Sequence, residues 1–184
     1  MKNVFAAASI LALGASGVLA GGIDRSGQDI GVLFENAGYV ELSFGVVMPS
    51  VSGSVAGGAV PSGSVASSYT QLSLGIKQDI NDRLSFAVII DQPYGADVSY
   101  PVSAAPYPLF GTTATVASTA LTAVARYQIG DRFSVHGGLR TQSLSGDIAI
   151  TGGYALNVDA SGDIGYLVGA AYEIPDIALR VAVT

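Results

Sequence analysis

The sequence predicts an all-β fold: an antiparallel transmembrane β-barrel of the outer-membrane type. Three observations predict it. Apolar residues recur at every second position in about seven segments, the period of strands with one apolar face. The connections between those segments are alternately tight and long, as in barrels whose short turns lie on the periplasmic side. Hydrophobic residues make up 49% of the chain, yet beyond the N-terminal leader no run approaches the ~18 uninterrupted apolar residues of a membrane helix.

The leader reads as a secretory signal peptide over 1–20. Lys2 supplies a positive start, Val4 to Leu13 is uncharged and mostly apolar, and Val18-Leu19-Ala20 precedes the expected cut before Gly21. A membrane anchor is the rival, but the run is short, rich in Ala and Gly, and has no basic flank after it. The mature chain divides into a short segment, 21–38, and barrel strands over 39–184. Charged residues are 12% of the chain, against about 25% in soluble domains. Acidic residues outnumber basic ones, 14 to 8, so there is no phosphate-neutralising patch and nucleic acid is not an expected partner. Cysteine is absent, which excludes disulfides and thiolate metal sites.

Alternation is clearest from Val40 to Met48, Leu72 to Ile76, Leu84 to Ile90, Leu121 to Ile129, Phe133 to Leu139, Ile164 to Ile174 and Ile177 to Val183. Tight turns are expected at Asn81-Asp82, Gly130-Asp131 and Pro175-Asp176, each with favourable two-residue chemistry. Long loops are expected over 49–68, 100–111 and 143–162, which are rich in Gly, Ser, Pro or Asp. Tyr127 and Tyr172 fall on the apolar face near two of the tight turns, where an aromatic girdle would meet the headgroups. A secreted sandwich whose apolar face is an ordinary core is the competing architecture. Low charge, a Gly-rich second face and repeated tight turns favour the barrel.

No catalytic residue is assigned. His136 is the single histidine and stands near Ser134, but no serine-nucleophile motif accompanies it, and it reads as one polar residue on the inward face. One His without Cys argues against a transition-metal site. Asp147, Asp159 and Asp163 fit no calcium-loop spacing. No metal and no cofactor are expected. Lys77, Arg126, His136 and Arg140 all fall on the inward face, beside small residues and the apolar Ile89, Val124 and Leu167. Such a lumen suits an amphipathic acid, its carboxylate on arginine. Equally, the arginines could pair with inward acids such as Asp91 and Glu173.

Several strings resemble the FadL-type long-chain fatty acid transporters: Tyr39-Val40-Glu41-Leu42-Ser43-Phe44-Gly45 with Met48-Pro49-Ser50-Val51-Ser52-Gly53, Asn81-Asp82-Arg83-Leu84-Ser85-Phe86, Asp91-Gln92-Pro93-Tyr94-Gly95, and Gly130 to Arg140. The resemblance implies a fourteen-stranded barrel plugged by an N-terminal hatch, importing fatty acids or other hydrophobic compounds by diffusion without a cofactor. It makes 21–38 hatch-like, although Asn36-Ala37 stands where the family carries Asn-Pro-Ala. Gln92, Pro93, Tyr94 and Gly95 interrupt the third strand. Pro cannot donate to a ladder and Gly permits unusual backbone, so an inward kink is expected there, or simply the start of a loop. In the family such a kink forms a lateral opening in the wall.

The expected function is therefore passive outer-membrane transport of long-chain fatty acids or similar compounds. Expected partners are a fatty acid or other hydrophobic small molecule, membrane lipid and lipopolysaccharide. A non-transporting surface barrel (an adhesin, receptor or structural protein) is the alternative, and an enzyme a distant third. The final alternating segment stops at Thr184 with about half the family's strands, so the expectation is either a fragment of a longer barrel or a chain that pairs with a missing C-terminal half or oligomerises. An open barrel would leave ladder groups unsatisfied in hydrocarbon.

Overall fold

The computed structural model describes residues 23–184; the expected signal peptide lies outside the described residues. Antiparallel strands form one curled sheet: β1 (Tyr39–Val47), β4 (Tyr69–Asp79), β5 (Leu84–Asp91), β7 (Thr113–Ile129), β8 (Phe133–Ile150), β9 (Tyr154–Ile174) and β10 (Leu179–Val183), in that spatial order. The strand β6 (Gly95–Ser99) also pairs with β7. A separate hairpin joins β2 (Ser52–Val55) to β3 (Val60–Ser64). Among the described residues no helix is long and apolar enough to cross a membrane.

Burial distinguishes the barrel from a sandwich. A sandwich would bury the apolar face. Here that face is bare: Leu42 is 70% exposed, Leu139 62% and Tyr166 82%. The opposite face is covered, with Ser85, Ala87, Thr122, Ser134 and His136 buried. Small and polar residues inside and apolar residues outside are what lipid outside the wall requires. Tyr127 and Tyr172 lie on the exposed face, with Phe133 directly opposite Tyr172.

The tight turns are longer than the two residues expected. They run over Ile80–Arg83, Gly130–Arg132 and Pro175–Ala178, and the last strand starts at Leu179 rather than at Ile177. Side-chain capping explains the first: Asn81 Oδ1 accepts the backbone N–H of both Arg83 and Leu84, each at 2.9 Å. Gly130 takes the left-handed conformation, φ 67°, in the second.

One of the three expected loops is instead largely strand, and a second contains a hairpin. Residues 143–162 mostly extend β8 and β9, whose hairpin turns only at Thr151–Gly153. Composition misleads there because a ladder satisfies backbone groups whatever the side chains are. Gly162, at φ 91°, is the extra residue of a bulge where the β8–β9 register shifts. Residues 49–68 contain the β2–β3 hairpin, after which Ala66 pairs with Val98 of β6. The 100–111 connection is a loop with one short 3-10 turn, Val102–Ala104.

Inside the curl lies the N-terminal segment. Its 3-10 helix Gly31–Phe34 buries Leu33 completely and Phe34 nearly so. These two pack with Ala87, Val124 and Ala171, and Leu167 packs against the cluster. Burying a Leu contributes about 1.5–3 kcal/mol. Val32 sits over Gly75, where a Cβ would come within 2.6 Å of Val32 Cγ2.

Candidate transport site at the interrupted wall

The sheet is broken at Gln92–Tyr94. β5 pairs with β7 up to Asp91↔Ala120, and β6 resumes at Gly95↔Ala117. Three residues of one strand therefore face only Ser118 and Thr119 of the other, the excess of a β-bulge. Ser118 bridges the break: its Oγ accepts from Tyr94 N and donates to Tyr94 O, each at 2.7 Å.

On the other side no ladder pair among the described residues closes the wall. β4 pairs with β5 only from Leu74↔Ile90 downward, so Tyr69–Ser73 have no ladder partner on that side. A Gln92 side-chain oxygen accepts Leu72 N at 3.1 Å in place of a backbone carbonyl. Above the gap the wall closes again through Ala66↔Val98, with Ser67 N donating to Asp97 O at 3.0 Å. A cavity of about 410 Å³ occupies the gap. Its lining takes in residues from both faces of the sheet, the exposed Val46, Thr70 and Ala117 and the buried Ser118, together with Arg25.

The N-terminal segment covers the break. Arg25 N donates to Pro93 O at 2.7 Å and Gly95 N to Ile23 O at 2.8 Å, which makes Asp24 and Tyr94 an antiparallel bridge. Gln71 Nε2 donates to Arg25 O at 2.7 Å, and Gln28 Nε2 to the Tyr94 hydroxyl at 2.5 Å. The guanidinium of Arg25 lies over the Tyr69 ring, 3.7 Å from its centroid. It also fills the space beside Gly95 that a Cβ would need. Backbone groups freed by Pro93 are thus taken up by a strand-like stretch from the chain's own N-terminal region.

The four expected lumen residues do not form one cluster. Lys77 pairs with Asp79 at 2.5 Å. Arg126 pairs with Glu173 and donates to Ser134 Oγ at 3.0 Å. His136 Nε2 lies 2.9 Å from Thr184 Oγ1, its ring edge-on to Phe34. Arg140 donates to Asp91 and Thr122, while its Nε is buried without a partner among the described residues. The ion pairs anticipated with Asp91 and Glu173 are therefore present. The inward apolar residues also have an occupant: Val124 and Leu167 pack against the Leu33 cluster.

Arg25, Tyr69 and Asp97 were missed by sequence reasoning. One signal pointed to Arg25, which is the single cation in 21–38. Nothing local in the sequence joins it to residues so far along the chain.

No family model matches the chain, and no curated protein matches it in sequence. Among solved structures, a FadL homologue from Pseudomonas aeruginosa matches with TM-score 0.54 and 18% identity. The fold is FadL-like. The match covers 62% of this chain and 31% of that one, so this chain corresponds to about a third of the other's length.

Proposed function

We propose that this chain carries long-chain fatty acids or other hydrophobic compounds passively across the bacterial outer membrane, after export by a cleaved signal peptide. The cavity at the broken wall between β4 and β6 is the observation that supports this reading most directly. A hydrophobic molecule leaving sideways would stay in an apolar environment, avoiding the water that an axial exit would impose. Residues 23–38 act as the hatch: the stretch at Ile23–Gln28 closes the gap, and the helix Gly31–Phe34 anchors it. Arg140, whose Nε has no partner among the described residues, meets the anionic head in transit, with Arg126, His136 and Lys77 on the same inward face.

The test is uptake of labelled oleate by cells expressing the full-length gene in a strain lacking its own importer. Uptake above the empty-vector strain is expected. Equal uptake would reject transport and leave the non-transporting surface barrel.

A further inference from the structure

Arg25 is bound more poorly than its burial demands. Its side chain is only 10% exposed, and its nearest acid, Asp97, is 3.5 Å from Nη2, beyond ordinary hydrogen-bond length. Nε and Nη2 are buried and have no hydrogen-bond partner among the described residues. Leaving the donors of a buried charged group unmade is costly. The position of the guanidinium is nevertheless well defined. The Tyr69 ring covers one face, and Gly95 provides the room beside it. The group borders the cavity at the broken wall.

We propose that Arg25 is an anion-recognition site within the wall gap that takes the carboxylate of a single-chain amphiphile. Nε and Nη2 carry the side-on fork that matches a carboxylate with two parallel hydrogen bonds; both are closed off while the stretch at Ile23–Gln28 covers the break, so engagement requires that stretch to shift. Asp97 offsets part of the local positive charge, which disfavours a multiply charged phosphate more than a monoanion. The apolar chain would extend past Val46 and Leu72, both exposed on the lipid side. This rests on reading the gap as the exit, and it adds a recognition step there: acids engage Arg25, neutral analogues do not.

Equilibrium binding of radiolabelled oleate and of methyl oleate to the purified full chain in phosphatidylcholine vesicles tests it. Arg25→Gln should weaken oleate binding at least about tenfold, the worth of a charged hydrogen bond, and leave methyl oleate within about twofold. Arg25→Lys should recover part of the loss. Equal losses for both ligands, or none for oleate, would overturn the site. Should Arg25→Gln fail to fold, Asp97→Asn gives an independent reading: oleate should bind more tightly and methyl oleate unchanged, and an unaltered oleate affinity counts against the site. Phosphatidylglycerol vesicles that displace oleate as effectively as free oleate does would assign the position to membrane lipid and overturn the free-acid assignment. Arg25-dependent oleate binding by a protein that moves no oleate into cells would reject transport and keep the site. Wild-type oleate affinity and uptake in Arg25→Gln would reject the site and keep transport.

Discussion

Arg140 donates through one nitrogen to both carboxylate oxygens of Asp91, at 3.1 and 3.3 Å. The pair ties β8 to β5 across the intervening β7. The same carboxylate accepts from Ser26 Oγ at 2.6 Å, so it also holds the N-terminal segment just below the broken wall. Removing Arg140 would leave Asp91, whose side chain is 6% exposed, without a counter-ion. Arg140→Ala is expected to lower stability by about 3–5 kcal/mol, read by urea unfolding in vesicles. Arg140→Met combined with Asp91→Leu should restore most of that loss. For transport, Arg140→Ala should reduce oleate uptake more than uptake of a neutral hydrocarbon. Equal reductions would assign Arg140 to structure alone.

The interruption itself can be repaired. Pro93→Val returns a ladder donor, and Gly95→Thr places a side chain where the Arg25 guanidinium now lies. The double variant is expected to insert normally and to lose most oleate uptake. Insertion is checked by heat-modifiable mobility on gels. Uptake at the original rate would rule out exit through this gap.

Closure by the N-terminal segment can be locked. The chain has no cysteine, and Asp24 and Tyr94 are bridge partners. Directly opposed residues of antiparallel strands have Cα atoms roughly 4.5–5.5 Å apart, within disulfide range. Asp24→Cys with Tyr94→Cys should block uptake when oxidised and restore it on adding reductant. Uptake that ignores the redox state would mean this stretch need not move.

The hatch anchor should separate from the barrel in stability. Leu33→Ala is expected to weaken docking by about 2–5 kcal/mol while the strand ladders persist. Limited proteolysis within 23–38 should accelerate at least about tenfold, with β-sheet circular dichroism unchanged. Gly75→Leu, on the wall beneath Val32, should produce the same sensitivity without altering the segment. Protection equal to wild type in both would show that another contact holds the hatch.

Much of the wall was legible residue by residue. The alternation at Val40–Met48 and Leu84–Ile90 predicted which side chains would face outward, and those faces are exposed in the first and exposed or half-buried in the second. Residues 143–162 were misread because Gly, Ser and Asp suggest loops, whereas their backbone is paired across nearly the whole stretch. Gln92–Gly95 could be read as a kink or as a loop start. The structure places β6 beyond it on the same partner, β7, as β5.

The sequence by itself determined the all-β character, the outward apolar face and the positions of the tight turns. Each of these comes from side-chain periodicity or turn chemistry within a few residues. Only the tertiary structure decided where the inward polar groups find partners. It joined Arg140 to Asp91 and Arg126 to Glu173, and it returned Arg25 to Pro93 and Tyr69. The physical reason is that a period of two assigns a side chain to a face but carries no information about which distant residue shares it. That depends on ladder register, on the one-residue excess at Gln92–Tyr94, and on the path of the N-terminal segment through the curl.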